Sequence, residues 1–291
     1  MTISYQELVL RHPCFAKGKK GETGRIHLPV SPECNISCKF CDRRVNDFEY
    51  RPGVTSKVLK PEEAVDAVRR AIKLCPQIQV VGIAGPGDTL ANDNALETFR
   101  YIKKEFPKLI ACMSTNGLLL PERAEEIKEV GIDSLTVTVN AVDPEIEAKL
   151  NTGIYYHEKI YKGVEAAQIL IKNQLEGIRK VSQYGITLKV NTVLVPGIND
   201  DHIETVAKTV AQAGADIYNI IPLIPQHELS DYPAPTCQQI DAARQKAEQY
   251  IDVFRHCRRC RADAVGVPGE KDYGEQIYLK RVSFKETFSH G

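Results

Sequence analysis

Cys34-Asn35-Ile36-Ser37-Cys38-Lys39-Phe40-Cys41 follows closely on an apolar, β-rich run at residues 25–30. The spacing C-x3-C-x2-C puts three thiols on one short loop just past a strand. Four thiolates would close a tetrahedral zinc site or saturate a cubic iron–sulfur cluster. Three leave one iron of a four-iron cluster without a protein ligand, and an open metal position is where chemistry takes place. The competing reading is a zinc loop completed by a distant fourth ligand, although such loops pair their cysteines as C-x2-4-C.

Outward from this loop, apolar runs and helical patterns alternate. Residues 25–30, 78–84, 109–114, 134–140, 187–193 and Ile217–Pro222 read as strands, and Pro61–Leu74, 94–106, 121–130, 160–183 and 201–213 as helices. Pro61 followed by Glu62 and Glu63 is a strong helix start, because proline suits the first turn and carboxylates suit the positive end of the helix. Strands separated by helices of this length imply a parallel sheet with right-handed crossovers. The expected fold is α/β, an open or partial (β/α)6 TIM-like barrel in one domain over residues 1–291. Its core covers about residues 24–250, and the extensions 1–23 and 251–291 are expected to cap the barrel mouth with the loop 42–56. The three-cysteine loop then lies at the carboxyl end of the first strand, where α/β barrels carry their active sites.

Composition narrows the function classes. Lys+Arg and Asp+Glu are both 38, so the formal net charge is zero and no basic field points to nucleic acid. No apolar run is long enough for a membrane span, and no basic start leads into a signal-peptide core. Nine cysteines in a chain of 291 residues favour metal binding over disulfides in a cytoplasmic protein.

After the second strand comes Gly82-Ile83-Ala84-Gly85-Pro86-Gly87-Asp88. Glycines there let the backbone approach a ligand closely, although a plain turn would also use them. The cysteine spacing resembles that of the radical S-adenosylmethionine (SAM) superfamily. Further motifs narrow the resemblance: His12-Pro13-Cys14, Arg51-Pro52-Gly53-Val54, Ser114-Thr115-Asn116-Gly117, Asn140-Ala141-Val142-Asp143-Pro144-Glu145, Val195-Pro196-Gly197-Ile198-Asn199-Asp200 and Cys257-Arg258-Arg259-Cys260-Arg261-Ala262-Asp263-Ala264-Val265-Gly266. With Ala-Gly-Pro-Gly-Asp at 84–88 in place of the superfamily's Gly-Gly-Glu type sequence, the chain from His12 to Gly266 closely resembles the NifB family.

The resemblance implies a barrel of the radical SAM type and one SAM-binding [4Fe–4S] cluster on Cys34, Cys38 and Cys41. It also implies two auxiliary, precursor four-iron clusters, which the enzyme fuses with an added sulfide and a carbide from a SAM methyl group into an [8Fe-9S-C] precursor of nitrogenase cofactors. Implied partners are iron–sulfur cluster donors, a reductant such as ferredoxin or flavodoxin, and carrier or nitrogenase scaffold proteins, with no nucleic acid and no membrane. A radical SAM enzyme acting on another substrate, such as a peptide, and a non-enzymatic iron–sulfur or zinc protein are the alternatives.

Candidate SAM contacts are Phe40 for the adenine, unless it is a core aromatic, and Gly85 and Gly87 for the amino-acid end. Asn116, Thr138, Asn140, Asn191 and Val193 at successive strand ends complete the set, since asparagine offers both donor and acceptor. Cys257 and Cys260 sit among arginines that favour thiolates, with a redox dithiol as the alternative; a third ligand is then needed, and Cys14 is the natural candidate. Cys112 is either a ligand or a small buried hydrophobe. His27 is either a core histidine or, on the resemblance, a labile cluster ligand. Glu49 is a weaker candidate, Lys189 and Arg51 are candidates to steady anionic clusters, and Cys75 and Cys237 read as structural. Two stretches depart from the family: 16–22 lacks histidines that many relatives carry after His-Pro-Cys, and Asp42-Arg43-Arg44-Val45-Asn46-Asp47 lacks a further cysteine.

Overall fold

The computed structural model of the protein describes residues 3–15, 23–257 and 260–278. The departure at 16–22 and the arginines at 258 and 259 lie outside the described residues.

Six parallel strands form the core: β1 (Gly24–His27), β2 (Ile78–Ile83), β3 (Ile110–Thr115), β4 (Ser134–Thr138), β5 (Thr187–Leu194) and β6 (Ile217–Pro222). Their order in space is their order in the chain, as expected when each βα unit adds one strand beside the last. The intervening helices are α1 (Pro61–Leu74), α2 (Asn94–Glu105), α3 (Leu120–Val130), α4 (Gly163–Ser182) and α5 (Ile203–Ala213), with α6 (Cys237–Ala247) after β6. The sheet stays open. Val265–Gly266 adds antiparallel to β1 at one edge, and Asp252–Val253 adds parallel to β6 at the other. This is a partial (β/α)6 barrel, and the strand runs are nearly all apolar because both faces are covered.

Helix α1 shows why the elements form where they do. Ala64, Val65, Ala67, Val68 and Ala71 are buried on one face, the i, i+3, i+4 stripe of an amphipathic helix. Glu63 reaches back to the Lys60 amide at 2.9 Å, satisfying a donor the first turn leaves unpaired. The helical pattern at 160–183 proves shorter. Lys159–Lys162 is a strand that pairs with Asn151–Tyr156, which in turn pairs antiparallel with Ile36–Cys38 of the cysteine loop. Tyr155 and Tyr156 supply β-preferring residues on one strand, and Ile160 and Tyr161, which the longer helical reading absorbed, supply them on the other.

The extensions divide between the two ends of the barrel. The amino-terminal one was expected at the mouth, but a helix at Tyr5–Arg11 and Phe15 lie at the opposite end. Leu8 and Phe15, both fully buried, pack with Val80, Ile110, Ile217 and Phe254, and Arg11 bonds Gln79 and the Lys108 carbonyl. The open base of the barrel is apolar, and burying these side chains there stabilises the fold by roughly 1.5–3 kcal/mol for each large side chain. The carboxyl-terminal extension sends Phe254 to the same base. Arg261 and Asp263 instead brace the 42–56 loop: Arg261 donates to the Asn46 carbonyl at 2.7 Å, and Asp263 accepts from the Ser56 hydroxyl at 2.6 Å.

Candidate active site

At the carboxyl ends of β2, β3 and β4 lies a partly open cleft of about 180 Å³. Cys34, Cys38 and Cys41 line it together with Phe40, Gly87, Asn116, Thr138 and Asn140. Gly85, Asn191 and Val193 do not line it: Gly85 faces Ala262, Asn191 accepts from Asn219 at 3.0 Å, and Val193 packs with Leu150, Val195, Leu223 and Leu229. Phe40 touches both places, since it lines the cleft and rests on that same apolar group.

The Ala-Gly-Pro-Gly-Asp turn docks against the cysteine loop. The Gly87 amide donates to the Ser31 carbonyl at 2.6 Å and the Asp88 amide to the Glu33 carbonyl at 2.7 Å. A Cβ at Gly87 would lie 1.9 Å from the Glu33 carbonyl oxygen, so only glycine fits. Asp88, 4% exposed, accepts from the amides of Leu90 and Asn116 and from the Thr115 hydroxyl. Asn116, held in this way, donates to Asn35 Oδ1 at 2.7 Å and faces Cys34 Sγ at 3.9 Å. Thus Asp88 ties β3 to the three-cysteine loop. Gln174 from α4 spans the Asn116 and Thr138 carbonyls at 2.8 and 2.9 Å and closes the cleft floor.

Burial pushes the Cys34 thiol up to about 12, with the Asp88 charge adding to it. Cys38 is raised well above the ordinary thiol range by burial, then by Cys41 and Cys34; burial raises Cys41 as well, against the opposing charges of Arg43 and Arg51. A buried thiol trio of this kind becomes three thiolates only when a metal charge compensates them, so the donor set fits an iron–sulfur cluster. Among the described residues no three His, Cys, Asp or Glu side chains converge as ligands of one metal ion.

Two side chains in the cleft carry signals that the sequence hid. Arg43, 6% exposed, is the nearby cation and bonds the Pro32 carbonyl at 3.2 Å. Glu147, 2% exposed, has one oxygen without a partner, and burial pushes its carboxyl up to about 8. Its place in the first turn of the helix Pro144–Leu150 gives no local sign of this burial.

A second set of groups lies deeper in the barrel. His27, Gly82, Cys112 and Ser134 are register partners across β1–β4. Gly82 leaves room for the imidazole, since a Cβ there would be 2.9 Å from His27 Cδ2. His27 Nδ1 bonds the Arg261 carbonyl at 3.0 Å. That nitrogen therefore carries the hydrogen, and Nε2 presents a lone pair, the form a metal binds. Burial, then Arg25, holds the His27 pKa down to about 4. Burial also pushes Cys112 up to about 11, with Lys189 opposing. Arg25 donates to Cys260 Sγ at 3.1 Å, and its charge also acts on Cys14. Cys257 is exposed. Glu49 is paired with Arg51 at 2.9 Å and Arg44 at 3.4 Å, so neither Glu49 nor Arg51 faces this set unpaired. Cys75 is buried and bonds Gln77, and Cys237 is exposed at the start of α6.

Barrel, loop and cleft define a radical SAM enzyme, and the family model described as the Radical SAM superfamily matches residues 28–210. Such enzymes use SAM with a [4Fe–4S] cluster. The chain is 46% identical over 279 residues to the FeMo cofactor biosynthesis protein NifB of Methanocaldococcus infernus, a match covering 95% of this chain and 92% of that protein. To the protein of the same name from Methanocaldococcus jannaschii it is 44% identical, covering 93% and 90%. A radical SAM methyltransferase from Sphaerobacter thermophilus shares the fold alone, with a TM-score of 0.57 at 18% identity over 79% of this chain and 64% of that one. The chain belongs to the NifB family.

Proposed function

We propose that the protein fuses two four-iron clusters, with an added sulfide and a carbide derived from a SAM methyl group, into the [8Fe-9S-C] precursor of nitrogenase cofactors. The observation that carries this reading is the second donor set: His27 and Cys112 in register across Gly82, with Cys14 and Cys260 beside Arg25, inside the same barrel as the cysteine trio.

In this proposal Cys34, Cys38 and Cys41 hold the SAM-binding cluster, which supplies the electron that cleaves SAM to a 5′-deoxyadenosyl radical. Asp88 and Asn116 fix the loop that carries them, while Arg43 offsets part of the thiolate charge. Phe40, Gly87, Asn116, Thr138 and Asn140 receive SAM; Gly85 shapes the turn that carries Gly87, and Asn191 and Val193 support that wall from behind. Cys14, His27, Cys112, Cys257 and Cys260 hold the two substrate clusters. Neutral imidazole is a weaker anchor for iron than thiolate, which suits His27 to release iron as the substrates merge. Cluster donors, a reductant such as ferredoxin or flavodoxin, and a carrier or nitrogenase scaffold protein are the proposed partners of a single-domain cytoplasmic enzyme. Among the described residues no helix is long and apolar enough to cross a membrane.

Anaerobic reconstitution with iron and sulfide, then SAM and reductant, tests this. About twelve irons per chain are expected for three four-iron clusters, with S-adenosylhomocysteine and 5′-deoxyadenosine formed together and no organic substrate added. Deoxyadenosine alone, with all iron recovered as four-iron clusters, overturns the proposal in favour of another substrate such as a peptide.

A further inference from the structure

The protein keeps two histidines in the barrel interior, and backbone contacts fix them in opposite tautomers. His27 gives its Nδ1 hydrogen to a carbonyl and so turns a lone pair inward. His12 does the reverse: its Nδ1 accepts the Cys14 amide at 3.0 Å. An imidazole nitrogen that accepts carries no hydrogen, so in the neutral ring the hydrogen sits on Nε2. His12 is 1% exposed, and this Nε2 has no partner.

Its surroundings repeat the pattern. Arg25, 4% exposed, donates to Cys260 Sγ and the Gly266 carbonyl, yet its Nε is also without a partner. Lys189, 7% exposed, meets the faces of Phe15 and Phe254 at 4.9 and 5.6 Å. Among the described residues no carboxylate lies within ion-pair distance of Arg25 or Lys189. Arg25, Lys189 and His27 all act electrostatically on His12. Buried cations and orphaned donors are costly unless an anion meets them. Cys14, Cys112 and Cys260 are described thiols whose charges act on Arg25 or Lys189, and Asp272 acts on Arg25 from beyond ion-pair distance. A thiolate-ligated four-iron cluster is an anion whose bridging sulfides accept hydrogen bonds.

We propose that His12 is a positioning residue, not a ligand, and that its Nε2–H donates to a sulfur of the substrate cluster bound at Cys14 and Cys260, alongside Arg25 and Lys189. This rests on the cluster assignment proposed above. Hydrogen bonds to cluster sulfurs stabilise the reduced, more negative state and raise its potential. His12 would thereby hold that cluster in place, and easier to reduce, while His27 gives way.

The test uses the full chain reconstituted anaerobically. His12→Asn keeps an acceptor for the Cys14 amide but has nothing at the Nε2 position; His12→Gln restores a donor there. In His12→Asn the iron content is expected to match wild type. The midpoint potential of the cluster lost in Cys14→Ala, read by EPR-monitored titration, is expected to shift negative, and the SAM-binding cluster to stay put. His12→Gln is expected to return the potential toward wild type. An unchanged potential in His12→Asn overturns the inference, and so does loss of about four irons, which would make His12 a ligand. If Cys14→Ala and Cys260→Ala remove no cluster, the cluster assignment itself has failed, and this inference with it.

Discussion

The cleft at the mouth and the chamber of donors below it both gather cysteines on a parallel barrel, but in different ways. The mouth is local: three thiols fall within eight residues, and the turn that holds them is one βα unit away. The chamber is global. Arg25 meets Cys260 across 235 positions of sequence, and His27 lies level with Cys112, across Gly82, only because β1, β2 and β3 align in register. The charges differ as well. The mouth gathers buried acids and thiols near Arg43 and Arg51, whereas the chamber gathers buried cations around scattered thiols. A cofactor kept for many turnovers suits the first arrangement, and a substrate that must be held and then surrendered suits the second.

The largest expected effect separates the two regions cleanly. Changing Cys34, Cys38 and Cys41 together to alanine removes the mouth's donor set and leaves the chamber untouched. SAM cleavage is expected to fall to background, and iron to drop by about four per chain while the remaining eight or so persist. Deoxyadenosine assays and iron analysis on one preparation check this. Persistence of cleavage, or loss of all the iron, would mean that the two regions do not work as distinct sites.

That division also explains what the sequence made legible. The six strands were readable because buried parallel strands are apolar runs, and the trio because its spacing is short. Asn116 was found by its place at a strand end, but Asp88's role as the tie between β3 and the cysteine loop needed the contacts of Thr115, Asn116 and Leu90. His12 stood out only as part of His12-Pro13-Cys14; its role as a donor, and that of Arg25, lies in unpartnered nitrogen atoms that appear only once the chain has folded. The hairpin at Asn151–Tyr156 and Lys159–Lys162 was hidden because its residues run into α4 without a proline, and turn residues His157 and Glu158 take positive φ in place of glycine. The amino-terminal helix is short, with only Leu8 buried, so nothing in its pattern chose between the two ends of the barrel.

Gly87→Ala attacks the joint that makes the mouth rigid. The new Cβ would need the space of the Glu33 carbonyl, 1.9 Å away, and a backbone atom cannot swing aside. A cost of roughly 3–5 kcal/mol is expected, visible as a lower denaturation midpoint together with weakened SAM binding. A variant as stable as wild type would show that the turn does not brace the cysteine loop.

Glu147→Gln acts on charge and should stabilise the cluster-free protein. The folded carboxyl titrates at about 8, above the ordinary 4.5, so between those values the folded state holds a proton that the unfolded state has released. Wild-type stability therefore falls as pH rises through that window, and the loss is complete above about 8. The glutamine variant lacks this loss. Its advantage over wild type is expected to be small at pH 5 and to reach roughly 2–4 kcal/mol by pH 8.5, measured by denaturant unfolding at each pH. An advantage independent of pH would place the effect in packing and not in the buried charge.

The smallest effects should come from the cysteines that belong to neither region. Cys237 is exposed at the first position of α6, where Thr236 already caps the helix through the Gln239 amide at 3.2 Å. Cys75 is buried against the barrel's main apolar core and bonds Gln77 Oε1 at 3.3 Å. Alanine at 237 is expected to change stability by less than about 0.5 kcal/mol, and alanine at 75 to cost about 1 kcal/mol for the lost sulfur contacts and hydrogen bond. Neither should alter the iron content after reconstitution. The pair thereby sets a baseline for the ligand substitutions: iron lost from Cys75→Ala or Cys237→Ala would require a third site on the barrel's outer surface and would end the two-region description.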